Sequence, residues 1–225
     1  MAELVLASSS DRRRELLQRL GLRFLVSLPT SEEPMRPGLC ADLAIQLVAR
    51  AKVHQVAARF EAQDAYVVAA DTIVVGPGGP LGKPGTPDRA REMLRVLRGQ
   101  RHLVLTGVCA LSTRTGQESM GVSRSAVRMR SFDDTELENY VAGREPLDKA
   151  GGYAVQGSGG ALVEAVAGRM DTVIGLDCGL ALRLLGEVGY PNPLPTAPDW
   201  HLALGKTAVV RRPLAGPSRM ALGPR

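Results

Sequence analysis

The chain has 225 residues, of which 44% are hydrophobic and 23% charged; this is enough apolar surface for a packed core and excludes a chain disordered as a whole. It has no uninterrupted apolar run of the roughly 20 residues that a membrane-spanning helix needs. The net charge of +5 is concentrated beyond Tyr190, where Lys206, Arg211, Arg212, Arg219 and Arg225 stand against Asp199 alone, and with 4% aromatic residues the near-neutral body makes nucleic-acid binding a poor expectation.

Leu4, Val5 and Leu6 predict a short buried strand. A serine turn follows, then a helix from Asp11 to Leu20 with Leu16, Leu17 and Leu20 at helical spacing and Gly21 as its stop. Leu39 to Phe60 reads as an amphipathic helix whose inner face carries Leu43, Leu47, Ala51 and Val56. Tyr66 to Val75, apolar nearly throughout and rich in β-branched residues, predicts a central strand covered on both faces. Gly76-Pro77-Gly78-Gly79-Pro80 forces a turn, and Thr86 or Pro87 opens a helix that runs through Leu97 and stops at Gly99. His102 to Leu111 and Glu118 to Met129 read as strands joined at Thr113 to Gln117, and Ser131 with Asp134 predicts a capping box for a helix through Val141. Strands at Tyr153 to Val155 and Ala161 to Val166 and a last helix from Thr172 to Leu185 complete a body of residues 1–189 without internal repeats. Residues 190–225 hold Pro191, Pro193, Pro195, Pro198, Pro213, Pro217 and Pro224, and read as a mobile, basic, proline-rich appendage. The opening Met-Ala-Glu-Leu-Val-Leu shows no export pattern, which predicts a cytoplasmic location.

Cys40, Cys109 and Cys178 are too scattered for a disulfide scaffold or a zinc knuckle, and His54, His102 and His201 are equally dispersed. Any metal would rest on carboxylates, as magnesium or manganese does.

Four stretches carry possible chemistry. In Ala7-Ser8-Ser9-Ser10-Asp11-Arg12-Arg13-Arg14, unpaired N–H groups of a helix start, hydroxyls and guanidinium groups would suit a polyphosphate; an ordinary N-cap with arginines facing solvent explains the same residues. Asp71, within Ala69-Ala70-Asp71-Thr72-Ile73, is costly to bury unless paired or bound to metal, the alternative being a strand-end residue facing solvent. Lys83 stands between Gly82 and Pro84, just beyond the glycine-rich turn, where a held charge could meet a phosphate. The segment from Glu145 to Gly157 places Asp148, Lys149 and Gln156 among small residues, so that backbone can approach a ligand and the Gln156 amide can offer a donor and an acceptor to a base; a turn-rich connection accounts for the glycines equally well.

Leu6-Ala7-Ser8-Ser9-Ser10-Asp11-Arg12-Arg13-Arg14-Glu15-Leu16-Leu17, Ala70-Asp71-Thr72, Leu81-Gly82-Lys83-Pro84, Leu105-Thr106-Gly107-Val108 and Lys149-Ala150-Gly151-Gly152-Tyr153-Ala154-Val155-Gln156-Gly157 together resemble, in that order, the Maf family of nucleoside triphosphate pyrophosphatases, over about Leu4 to Leu185. The resemblance implies an α/β fold, an elongated mixed sheet flanked by helices with two lobes and a central cleft, similar to the inosine triphosphate pyrophosphatases. It implies hydrolysis between the α- and β-phosphates with a divalent metal cation, by a cytoplasmic enzyme that can form a homodimer. Asp71 falls on the family's catalytic carboxylate and Glu32 on its second acidic position, the two together on its metal site; Lys83 and Lys52 fall on phosphate-facing lysines, and Ser8, Arg12 and Arg13 on the opening phosphate motif. Lys149 belongs with the substrate-binding set, and Arg12, Thr72 and Gln156 occupy positions that go with dTTP and UTP. A 7-methyl-GTP pyrophosphatase and a non-enzymatic regulator of septum formation are the alternatives that the same family implies. The chain departs from the family pattern at Asp11, where proline is usual, at Ser31 before Glu32, where Asp is common, and from Met170 to Cys178, which replaces an Asn-Val-Val-Gly-Leu-Pro type of ending.

Overall fold

The computed structural model describes residues 2–31, 33–36 and 38–191. All but the first two residues of the predicted appendage lie outside this range, as does Glu32. The elements run β1 (Glu3–Leu6), α1 (Asp11–Arg19), β2 (Leu25–Val26), α2 (Ala41–Ala57), β3 (Ala65–Gly76), β4 (Gly79–Leu81), α3 (Pro87–Leu97), β5 (Arg101–Ser112), β6 (Glu118–Met129), α4 (Asp134–Ala142), β7 (Val163–Ala167), α5 (Met170–Ile174) and α6 (Cys178–Glu187). The sheet order is β2-β1-β3-β5-β6-β7, with β4 folded back on β3. β1 is parallel to β2 and β3, and every other pairing is antiparallel, so the sheet is mixed, as expected.

Alternation along β1 and β3 divides the first lobe into two packed layers. Leu4, Leu6, Tyr66, Val68 and Ala70 face α1 and α6, where they meet Leu16, Leu17 and Leu184. Val5, Val67 and Ala69 face α2 and meet Ala49, Val53 and Val56. The far halves of the long strands, with Val74, Val104 and Val127, pack against Leu94 of α3 and Leu137 of α4 in a second lobe. Each fully buried Val or Leu contributes about 1.5–3 kcal/mol to this packing.

The site follows from a gap in the sheet. β1 leaves β3 after Leu6 and Val68, β4 rejoins it only at Val74, and β5 occupies the other edge throughout Tyr66 to Val75. Residues 69–73 of β3 therefore have no strand on one side, and the cleft between the lobes opens along that edge.

Four expectations need correction. The inner face of α2 carries Ala44, Ile45, Val48, Ala49, Lys52, Val53 and Val56, whereas Leu43 is exposed. The helix lies on β5 at Gly107, where an added Cβ would stand 2.5 Å from the Ile45 carbonyl oxygen, so the helix backbone itself meets the strand there, which turns Ile45 and Val48 inward in place of Leu43 and Leu47. The capping box of α4 is formed by Asp133 and Glu136 and not by Ser131 and Asp134, because Phe132 is drawn into the core and starts the helix two residues later. Tyr153 to Val155 is not a strand; it continues from a 3-10 turn at Ala150–Gly152. The last helix is broken into α5 and α6 by Gly175, whose φ of 133° a helix cannot contain. Among the described residues no helix is long and apolar enough to cross a membrane.

Candidate active site

A cleft of about 1110 Å³ lies between the lobes and is lined by Ser8, Arg12, Arg13, Lys52, Asp71, Thr72, Lys83, Lys149 and Gln156. Every candidate residue within the described range reaches the same space. The signals came from distant parts of the chain; folding brings them together.

The serine turn delivers β1 into α1 through local hydrogen bonds. Ser10 is the N-cap, its hydroxyl accepting from the Arg13 N–H at 3.5 Å, and Ser8 Oγ accepts from the Ser10 N–H at 3.2 Å. The capping role and the placement of Arg12 and Arg13 at the cleft are thus both realised. Arg13 is built into the wall: its guanidinium donates to Ser8 Oγ at 3.4 Å, to Thr72 Oγ1 at 3.3 Å and to the Gly175 carbonyl at 2.8 Å.

Asp71 is the electrostatic centre. Its Oδ1 lies 3.0 Å from Lys52 Nζ and 3.6 Å from Arg13 Nη2. The Lys52 side chain is 11% exposed and that of Asp71 28%, so the lysine stem is buried along α2 and its charge emerges only at the carboxylate. A buried ammonium is tolerated when it is paired in this way. Elements α1, α2 and β3 thus converge on one carboxylate.

Thr72, the next residue, points to the opposite face of β3. Thr106 Oγ1 donates to the Thr172 carbonyl at 2.7 Å and so accepts from Thr72 Oγ1 at 2.9 Å. The Thr72 hydroxyl is thereby used to tie β3 to β5 and α5. The turn after α5 is held in turn by acidic groups. Asp171 accepts from the Thr172 and Cys178 N–H groups at 3.0 and 2.9 Å and pairs with Arg169, which also pairs with Asp177 at 3.0 Å. Asp177 caps α6 through the Leu180 N–H at 2.8 Å and accepts from Ser123 Oγ at 2.7 Å. These contacts set the carbonyl of Gly175 against Arg13, and Asp171, Gly175 and Asp177 lie in the stretch that departs from the family pattern.

On the second lobe, the loop with Lys83 and the loop with Lys149 are joined by backbone hydrogen bonds, Gly85 N–H to the Leu147 carbonyl and Gly151 N–H to the Gly82 carbonyl, both at 3.0 Å. Lys149 pairs with Asp148. Burial raises the Asp148 carboxyl, but the Lys149 hydrogen bond and charge, with Arg12 behind them, hold it below its ordinary range. Behind this wall His102 is buried against the Tyr153 hydroxyl at 2.7 Å, and burial pushes its imidazole down to about 4.

Sequence reasoning passed over Thr106, Gly175, Glu145, Arg169 and Asp171. Thr106 and Glu145 stood inside stretches that were singled out, and Asp171 and Gly175 inside the stretch that departs from the family pattern; Arg169 had no sequence signal. Among the described residues no three His, Cys, Asp or Glu side chains come together as a ready-made metal cage. Asp71 joins two cationic side chains in the cleft, those of Lys52 and Arg13.

A mixed α/β sheet interrupted beside a carboxylate, with cationic groups on both walls of a nucleotide-sized space, has the shape and charge that suit a phosphate-bearing ligand. The Maf-like protein family matches residues 3–188, and the chain belongs to that family. A dTTP/UTP pyrophosphatase of Anaeromyxobacter dehalogenans is 44% identical over 84% of this chain and 96% of its own. Proteins of the same name from Halalkalibacterium halodurans and Moorella thermoacetica are 42% and 44% identical, each over 84% of this chain and 98% and 96% of theirs. The solved structure of the Staphylococcus aureus Ham1 protein aligns at 12% identity over 57% of this chain and 72% of that one, with a TM-score of 0.40.

Proposed function

We propose that this protein is a nucleoside triphosphate pyrophosphatase that hydrolyses dTTP and UTP to the monophosphate and pyrophosphate. The observation that carries the reading is Asp71, held by Lys52 and Arg13 at the open edge of β3, in a chain whose relatives bear that activity in their names.

Serine-turn N–H groups, Arg12 and Lys83 supply donors and charge for the phosphates as negative charge moves onto the leaving group. Asp71 orients a water and takes its proton as the oxygen attacks the α-phosphorus. The bond from the α-phosphorus to the bridging oxygen breaks, pyrophosphate departs, and Asp71 returns its proton to solvent. Such a base contributes about 10²–10⁴-fold to a rate. Lys52 and Arg13 fix the orientation of the carboxylate, which a water nucleophile requires.

Magnesium or manganese suits this donor set, since such hard ions are held by one or two carboxylates together with substrate phosphates and water. Asp71 and Glu32 would hold the cation, which when bound neutralises phosphate charge and polarises the phosphoryl group. In the second lobe Gln156 faces the cleft; its amide oxygen can accept from an imide N–H while its NH₂ donates to a carbonyl, the pattern of uracil and thymine. Nucleoside triphosphates are an intracellular pool, and we place the protein in the cytoplasm.

Incubation with magnesium or manganese and a panel of dTTP, UTP, CTP, dATP, GTP and 7-methyl-GTP, with monophosphate and pyrophosphate measured separately, tests the assignment. Release from dTTP and UTP is expected; preferential turnover of 7-methyl-GTP, or no turnover of any nucleotide by folded protein, would overturn it.

A further inference from the structure

The loop bearing Gln156 is shaped by a carboxylate that the chemistry above does not use. The chain enters this region through Arg144, whose φ of 57° makes it the one non-glycine residue in the left-handed region among those described. Such a conformation persists where its surroundings enforce it. The next residue, Glu145, reaches the loop that follows.

Glu145 Oε2 accepts from the Ser158 N–H at 3.2 Å and the Ser158 hydroxyl at 2.6 Å. Oε1 accepts from the Gly159 N–H at 3.2 Å and the Tyr140 hydroxyl at 3.3 Å. The Tyr140 hydroxyl itself accepts from the Ala154 N–H at 3.2 Å. Gln156 lies midway between the two anchored points, Ala154 and Ser158. The loop is wound so closely that a Cβ at Gly159 would stand 2.5 Å from the Ala154 carbonyl oxygen, and one at Gly160 2.6 Å from that of Val155. Burial raises the Glu145 carboxyl, yet the bonds from Ser158, Gly159 and Tyr140 outweigh it and keep the group below its ordinary range. Hydrogen bonds to an ionised acceptor are about twice as strong as neutral ones.

We infer that Glu145 is a positioning residue for base selection: the 154–159 loop folds around its carboxylate, and this sets where the Gln156 amide meets a pyrimidine edge. The inference rests on the reading of Gln156 given above. Specificity that depends on a hydrogen-bonding side chain is lost when that side chain is free to move, because the competing base then pays no penalty for failing to match it. A loop closed only for stability has no such requirement.

Glu145→Gln retains the volume but replaces one accepting oxygen by an NH₂ donor, which cannot receive the N–H groups of Ser158 or Gly159. Binding of non-hydrolysable dTTP and dCTP analogues is measured by calorimetry with the full chain, for the wild type, Glu145→Gln, Gln156→Ala and the double variant. Glu145→Gln is expected to reduce the preference for the thymine analogue by about tenfold. The double variant should then show no more loss than Gln156→Ala, within about twofold, because the two residues act through one contact. An unchanged preference in Glu145→Gln, or a loss that adds in full to that of Gln156→Ala, overturns the inference while the reading of Gln156 stands. An unchanged preference in Gln156→Ala instead removes the reading of Gln156 and the inference with it. If Glu145→Gln does not fold, Ser158→Ala removes only the 2.6 Å hydroxyl bond; a drop of about threefold is expected, and no drop overturns the inference.

Discussion

Gly107→Ala changes no group proposed to touch substrate, yet it should disable the site. The added Cβ would lie 2.5 Å from the Ile45 carbonyl oxygen, 2.7 Å from its carbonyl carbon and 2.8 Å from the Gln46 nitrogen. Those atoms are the backbone of α2, so no side-chain rotation relieves the contact. Carbon–carbon contacts are most favourable near about 3.5–4.0 Å, so α2 must withdraw from β5 by roughly 1 Å. Overpacking of this kind costs about 1–3 kcal/mol of stability. The same helix carries Lys52, whose ammonium is 3.0 Å from Asp71; a displacement of about 1 Å opens that pair, and misplacement on this scale can lower turnover about 10²-fold. Urea unfolding and steady-state hydrolysis of dTTP on the same preparation read both effects. A variant within about 0.5 kcal/mol of wild-type stability that retains more than half the activity would refute the reasoning, because the helix would then not be held against the strand as described.

Asp71→Asn should lower turnover by about 10²–10⁴-fold while dTTP still binds, checked by rapid-quench kinetics beside equilibrium binding. Stability should also fall in acid through His102: its folded value of about 4 lies below its ordinary 6.5, so the unfolded chain takes up the proton first. The contribution is complete above about pH 6.5, is lost as the pH falls toward 4, and amounts to about 3 kcal/mol. Denaturant midpoints across that window should show the slope, and His102→Gln should flatten it. Asp171→Asn, at a side chain only 3% exposed and paired with Arg169, should cost about 3 kcal/mol in chemical unfolding and lower activity as well, since Gly175 then loses its fixed position against Arg13.

The central strand was legible because the apolar run of β3 has one physical explanation, burial on both faces, and α1 because its cap and leucines agree. The phase of α2 was not: its contact with the sheet is chosen by the absence of a side chain at Gly107, a residue far away in sequence. Nor was the break between α5 and α6, where apolar spacing runs on through a turn stabilised by Arg169, Asp171 and Asp177. Tyr153 looks like part of a strand because it is apolar and followed by Ala154 and Val155, but its burial serves the contact with His102. The membership of the cleft was legible from motif order, since every described candidate lines it. The uses of those residues were not. That Arg13 spends its donors on Ser8, Thr72 and Gly175, and that Glu145 gathers Ser158 and Gly159, depends on loops whose closure carries no periodic signal.

Hydrolysis of dTTP in ¹⁸O-labelled water tests the central claim most directly. Attack on the α-phosphorus by a water that Asp71 orients predicts one labelled oxygen in dTMP and none in pyrophosphate. Label in pyrophosphate, or dTDP and inorganic phosphate as the products, would contradict the account.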